Sequence, residues 1–186
     1  MTMKVLFEKP SGKILGAQII GHEGVDKRID VLAVAINANM TAEDLTEIDL
    51  AYAPPYASAK DPVNMAGYVI ENILESTMKQ IHWDEALEIA STNTKAVILD
   101  TRTQAEFNRG HIEGTCNPIL NIPVDELRSR LSEIPSDKQL LVHCATGVRS
   151  YIACRILMQN GFNCTNIAGG YIKIKMLKLK ILAIAD

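Results

Sequence analysis

No apolar run in this 186-residue chain is long enough to cross a membrane. The longest nearly uncharged stretch of the first half, Val31 to Met40, is about half the roughly 20 residues that a spanning helix requires. Met1-Thr2-Met3-Lys4 lacks the apolar core of a secretion signal. The expected setting is therefore cytoplasmic, with reduced thiols. Charge of one sign is scarce as well: residues 1–78 carry net −5 and residues 79–186 net +2, giving −3 overall. Without a long basic stripe, nucleic acid is excluded as a partner. The first half has neither a GxGxxG after a strand nor a P-loop, so it lacks the usual means of holding a dinucleotide. Four cysteines, Cys116, Cys144, Cys154 and Cys164, match no zinc pairing and no CxxC motif, which argues against a metal site.

What is present divides in two. Met3 to Lys9 and Lys13 to Gly21 flank Pro10-Ser11-Gly12 and read as an antiparallel hairpin. Val25 to Asn39 has helical apolar spacing, and Thr41 with Asp44 three residues on marks the start of another short helix. Ala51 to Tyr56, with two consecutive prolines, is a loop carrying Tyr52 and Tyr56. Asp61-Pro62 then opens a helix expected to run to about residue 79.

From Ile81 strands and helices alternate. Helices are expected at Trp83–Ala90, Thr103–Asn108, Val124–Leu131 and Tyr151–Gln159, with strands at Ala96–Leu99 and Gln139–His143. Such alternation predicts an α/β unit whose mostly parallel sheet is covered by helices on both faces. Ligands of such sheets bind beyond the carboxyl ends of the strands, where Cys144 falls.

Leu140-Leu141-Val142-His143 leads directly into Cys144-Ala145-Thr146-Gly147-Val148-Arg149-Ser150 and then into a helix. In a strand–loop–helix turn of this kind, loop amides and the positive helix end converge on the cysteine sulfur. That field lowers a thiol pKa and favours the nucleophilic thiolate. Gly147 supplies unusual backbone torsions and Arg149 a positive charge at the rim. Cys154 and Cys164, in apolar patterns without a glycine loop, read as packed thiols, and Cys116 is open. His143 reads as a packed strand-end residue, since neighbours on a strand point to opposite faces. Asp100 and Arg102, with Glu106 and His111, read as residues that hold the fold.

Several separated motifs carry a family resemblance: Asp100-Thr101-Arg102, Glu106-Phe107, Gly110-His111-Ile112 with Gly114, Asn121-Ile122-Pro123, the Cys144 loop, and Gly161-Phe162 leading to Gly169-Gly170. Residues 81–171 thereby resemble the rhodanese domain. That resemblance implies that Cys144 accepts sulfane sulfur as a persulfide and passes it on. Tyrosine phosphatases place five residues between cysteine and arginine, whereas four, Ala145 to Val148, stand here.

The first segment has a likeness of its own, through Gly12 to Gln18, Gly21 to Asp30 and Tyr52 to Asn64. It resembles the dimerisation domain of pyridine nucleotide-disulfide oxidoreductases, in the branch of CoA-disulfide reductases, NADH oxidases and persulfide reductases. Some of these carry a C-terminal rhodanese domain. The resemblance implies an α+β dimerisation domain at 1–78, a rhodanese-like domain at 79–186, and a C-terminal fragment of a longer flavoprotein. FAD, NAD(P)H and CoA are implied for that parent and none is bound by this chain alone. The implied partners are a second copy, the missing FAD/NAD domains, and a CoA persulfide, polysulfide or other sulfane-sulfur donor. Tyr52 or Tyr56 would reach the partner subunit's active site, with a slight preference for Tyr56. Alternative expectations are a dimerising, sulfur-responsive binding module and a standalone thiosulfate sulfurtransferase. The lysine-studded tail Ile172–Ala185 is expected to close against the sheet as a helix.

Overall fold

The structure, a computed structural model, describes residues 1–182, with side chains through residue 177. The chain divides into two compact units, Met1–Thr77 and a second from Met78 onward.

In the first unit, β1 (Thr2–Phe7) and β2 (Ile14–Ile20) pair antiparallel, from Thr2 opposite Ile20 to Leu6 opposite Gly16. Alternation places Met3, Val5, Ala17 and Ile19 on one face of this ribbon, against α1 (Val25–Asn37), α2 (Ala42–Glu47) and α3 (Pro62–Leu74). Ile14, Leu32, Ala35, Ala42, Leu45, Val63 and Ile70 form the buried core. Thr41 and Asp44 close a reciprocal capping box on α2, and Asp61 with Asn64 does the same on α3, with Pro62 at the first helical position. Asp61 also receives buried Arg28, whose Nη2 lies 2.8 Å from its Oδ2. The α3 helix stops at Leu74, short of the expected residue 79, because Ser76 turns to φ 55° and Thr77 Oγ1 bonds back to Asn72.

The second unit holds a five-stranded parallel sheet in the order β3 (Gln80–Ile81), β7 (Cys164–Ile167), β6 (Gln139–His143), β4 (Ala96–Asp100), β5 (Leu120–Asn121). The interior strand β4, between β6 and β5, is buried at every residue, as expected of a parallel strand covered on both faces. One face packs Val97, Leu99, Leu140 and Val142 against α6 (Val148–Gln159) through Ala153, Cys154, Ile156 and Leu157. The other packs Ala96, Ile98, Leu141 and Ile167 against α4 (Trp83–Thr92) and α7 (Gly170–Leu182), the latter through Ile174. The tail therefore begins as a helix closed against the sheet, and residues 183–186 lie outside the described residues. A further short helix, α5 (Gln104–Asn108), is capped by Thr103 and Glu106.

The helix expected at Val124–Leu131 is instead two 3-10 turns, Leu127–Ser129 and Leu131–Glu133. The Val124 amide is held by the Thr101 carbonyl, and the break at Arg130 lets both Leu127 and Ile134 reach the core. Helix α6 starts at Val148, three residues before the expected Tyr151, because Gly147 is already its N-cap. No helix among the described residues is long and apolar enough to cross a membrane.

Candidate functional site

Cys144 follows the last residue of β6, and α6 begins four residues later. The intervening loop folds back so that the Gly147 amide donates to Cys144 Sγ at 3.1 Å. At Gly147 φ is 134°, a backbone state that glycine alone adopts without strain. Because α6 has no side-chain N-cap, its first amides remain free to face the sulfur. Burial would push the Cys144 thiol up. Bonds from the Ser150 hydroxyl and from the amides of Ser150, Gly147 and Thr146 outweigh it, and the thiol sits below its ordinary value. Cys144 itself is buried.

The carbonyls of the loop point the other way, because α7 needs them. The Tyr171 amide donates to Cys144 O at 2.7 Å and the Ile172 amide to Ala145 O at 3.1 Å. Those are the orphan donors of a helix start, satisfied by the cradle rather than by a side chain. Gly170, at φ 57°, lies so close that a Cβ there would overlap the Ala145 carbonyl. Its own carbonyl accepts from buried Trp83 Nε1 at 2.7 Å. Thus α4 and α7 brace the loop from beneath.

Beside this brace, buried Asp100 pairs with Arg102, with Nη2 to Oδ2 at 2.6 Å. Arg102 lies 3.8 Å over the Tyr171 ring and donates to Gly110 O. His143 is wholly buried, its ring edge-on to Trp83 at 5.1 Å, with Nε2 3.6 Å from Asp100 Oδ2. Desolvation holds it below its usual pKa, hence neutral, so it is a packed strand-end residue as expected.

At the rim, Arg149 makes a two-pronged pair with Glu106, Nη1 to Oε2 at 2.7 Å and Nη2 to Oε1 at 2.8 Å. The sequence reading missed both this pair and the Trp83–Gly170 bond. Their partners stand 43 and 87 residues apart. A signal for the first was the capping pattern Thr103-x-x-Glu106, which fixed where α5 would begin.

The remaining cysteines lie apart from this chemistry. Cys154 and Cys164 are buried in the α6 core, where Cys164 Sγ donates to Cys154 O at 3.5 Å. The neighbouring Cys164 thiol and burial push Cys154 up. Cys116 is exposed and donates to Ser91 O. Among the described residues no three His, Cys, Asp or Glu side chains are grouped to hold a metal. Tyr52 and Tyr56 are both exposed in the first unit, on a loop held at its ends by Lys27 Nζ on Ala51 O and by the Arg28–Asp61 pair.

Comparison with known proteins agrees with these two units. The rhodanese-like domain profile matches residues 83–177, and that of the pyridine nucleotide-disulphide oxidoreductase dimerisation domain matches residues 1–62. The coenzyme A disulfide reductase of Staphylococcus epidermidis is 52% identical over 66 residues, which is 36% of this chain and 15% of that protein. Among solved structures, reduced CoADR-RHD of Bacillus anthracis superposes with a TM-score of 0.84 at 46% identity, over 91% of this chain and 29% of that one. The NAD-dependent persulfide reductase of A. fulgidus gives 0.77 at 41% identity, over 90% and 29%. The chain thus matches less than a third of the length of these relatives. It belongs to the rhodanese-like domain family, with a dimerisation domain of the pyridine nucleotide-disulphide oxidoreductases preceding its rhodanese-like segment.

Proposed function

We propose that Cys144 is a persulfide carrier in the C-terminal part of a flavoprotein that reduces CoA disulfide, CoA persulfide or polysulfide. The observation that carries this reading is a buried sulfur receiving loop and helix amides, with four residues between it and an arginine. In the proposed step the Cys144 thiolate attacks the outer sulfur of a thiol persulfide. A bond forms between Sγ and that sulfur, the donor S–S bond breaks, and the donor thiol leaves as a thiolate with the electron pair. The same amides then hold the anionic persulfide, whose outer sulfur passes to the next acceptor.

FAD and NAD(P)H belong to the proposed parent. In the described part of the first unit the only sheet is an antiparallel pair, with no strand–glycine–helix turn for a pyrophosphate. These residues do not fit a flavin site, and no step here runs through one. The proposed domains are 1–78 for dimerisation and 79–186 for sulfur chemistry, in a cytoplasmic homodimer in which Tyr56 or Tyr52 reaches the partner's active site. The order of the two matched domains and the likeness to the Bacillus and A. fulgidus proteins support this.

Intact-protein mass spectrometry tests the carrier role. After mild exposure to CoA persulfide, wild type should gain one sulfur, about 32 Da, and Cys144→Ser none. An equal gain in both, or no gain, would remove Cys144 from the chemistry and leave a binding module.

A further inference from the structure

We propose that Glu106 determines which sulfur donors Cys144 accepts, by holding Arg149 in a neutral pair that disfavours dianionic donors such as thiosulfate and favours thiol persulfides and polysulfides. This rests on the carrier reading of Cys144.

Arg149 is the cation that the loop itself supplies, and both its terminal nitrogens are engaged by the Glu106 carboxylate. That carboxylate is not free to swing away. Glu106 Oε2 also accepts from the Thr103 amide at 2.9 Å and from the Thr103 hydroxyl at 3.0 Å. Both members of the pair are about one-third exposed, so solvent reaches them, and Arg149 is close enough to Cys144 for its thiolate to favour the charged guanidinium. The Arg149 pair and the Thr103 bonds hold the Glu106 carboxyl at about 2, so its negative charge is permanent under working conditions.

The two donor classes make different demands on such a rim. With thiosulfate, the Cys144 thiolate bonds to the outer sulfur, the S–S bond breaks, and sulfite leaves with the electron pair as a dianion. With a thiol persulfide, the same Sγ–S bond forms, the donor S–S bond breaks, and a monoanionic thiolate leaves, the proton on the transferred sulfur then passing to solvent to give the anionic persulfide. Amides around Sγ can steady one negative charge. A second needs a free cation, and here the cation is matched by a carboxylate that repels the incoming dianion.

Single-turnover loading of the full chain, read by intact mass, separates this from a structural role. The probes are sodium thiosulfate and mercaptoethanol persulfide, whose far end is uncharged. Glu106→Gln keeps a residue that completes the Thr103 capping box, and Glu106→Met removes the charge by another route. Both should raise the thiosulfate rate relative to the persulfide rate by about tenfold. Thr103→Val, which loosens the cap without changing charge, should leave that ratio unaltered. If the two rates fall together in the Glu106 variants, Glu106 only holds the loop and the proposal is wrong. Failure of wild type to load from either donor would overturn the carrier reading, and this inference with it.

Discussion

The lowered pKa of Cys144, on which its proposed reactivity depends, is a contest between two effects on one sulfur atom. Burial raises the cost of the thiolate, and the Ser150 hydroxyl and amide together with the Gly147 and Thr146 amides more than offset it. Removing the Ser150 hydroxyl should therefore raise the Cys144 pKa. Ser150→Ala is expected to alkylate several-fold more slowly with iodoacetamide at neutral pH, with the whole rate–pH profile displaced upward. An unchanged profile would assign the stabilisation to the amides alone. Glu106 gives a second residue-level expectation. Its carboxyl is lowered from 4.5 to about 2, so the folded state binds fewer protons than the unfolded chain between those values. Its contribution to stability is complete above about pH 5 and is lost as pH falls toward 2, and acid unfolding of Glu106→Gln should lack that component. Cys144 was legible because its loop is contiguous, seven residues whose types state their own purpose. Glu106 was not, since its Thr103 cap explains it fully until the guanidinium 43 residues away is seen.

Elements were legible where a period had room to repeat. The caps at Thr41 and Asp61 located two helix starts, because capping is a local bond between residues two or three apart. Strands β3 and β5, two residues each, have no period to detect. The segment after Pro123 has helical composition but is pinned by Val124 to β4's exit, and its turns tighten to i→i+3 bonds. Helix α3 carries a sharper expectation. Asp61 caps it and also neutralises buried Arg28, so Asp61→Asn would keep a capping side chain while stranding a buried guanidinium. The cost should be about 3–5 kcal/mol, read from chemical denaturation, where loss of a surface pair would cost at most about 1. At the other end of the chain, Gly170→Ala should displace the start of α7 from Ala145 and slow sulfur loading at Cys144.

At the scale of the molecule, the first unit leaves large apolar side chains outside its small core. Its two-stranded ribbon would be marginal alone, and three helices cover only one face. Val34 on α1 and Met65 with Val69 on α3 remain exposed, Val34 to 66%. Exposed aliphatic side chains on neighbouring helices suit a second copy better than water. The expected species in light scattering at micromolar concentration is a dimer of about twice 20.4 kDa. Replacing Val34 and Val69 together with lysine should shift it toward monomer. The cradle is built wholly from the second unit, whose sheet and two cores lie within residues 78 onward. The lysine variant should therefore still take up sulfur at Cys144. Loss of uptake on monomerisation would mean that the carrier depends on the partner subunit, whereas a wild-type monomer would remove the dimer from the proposal and leave the sulfur chemistry standing.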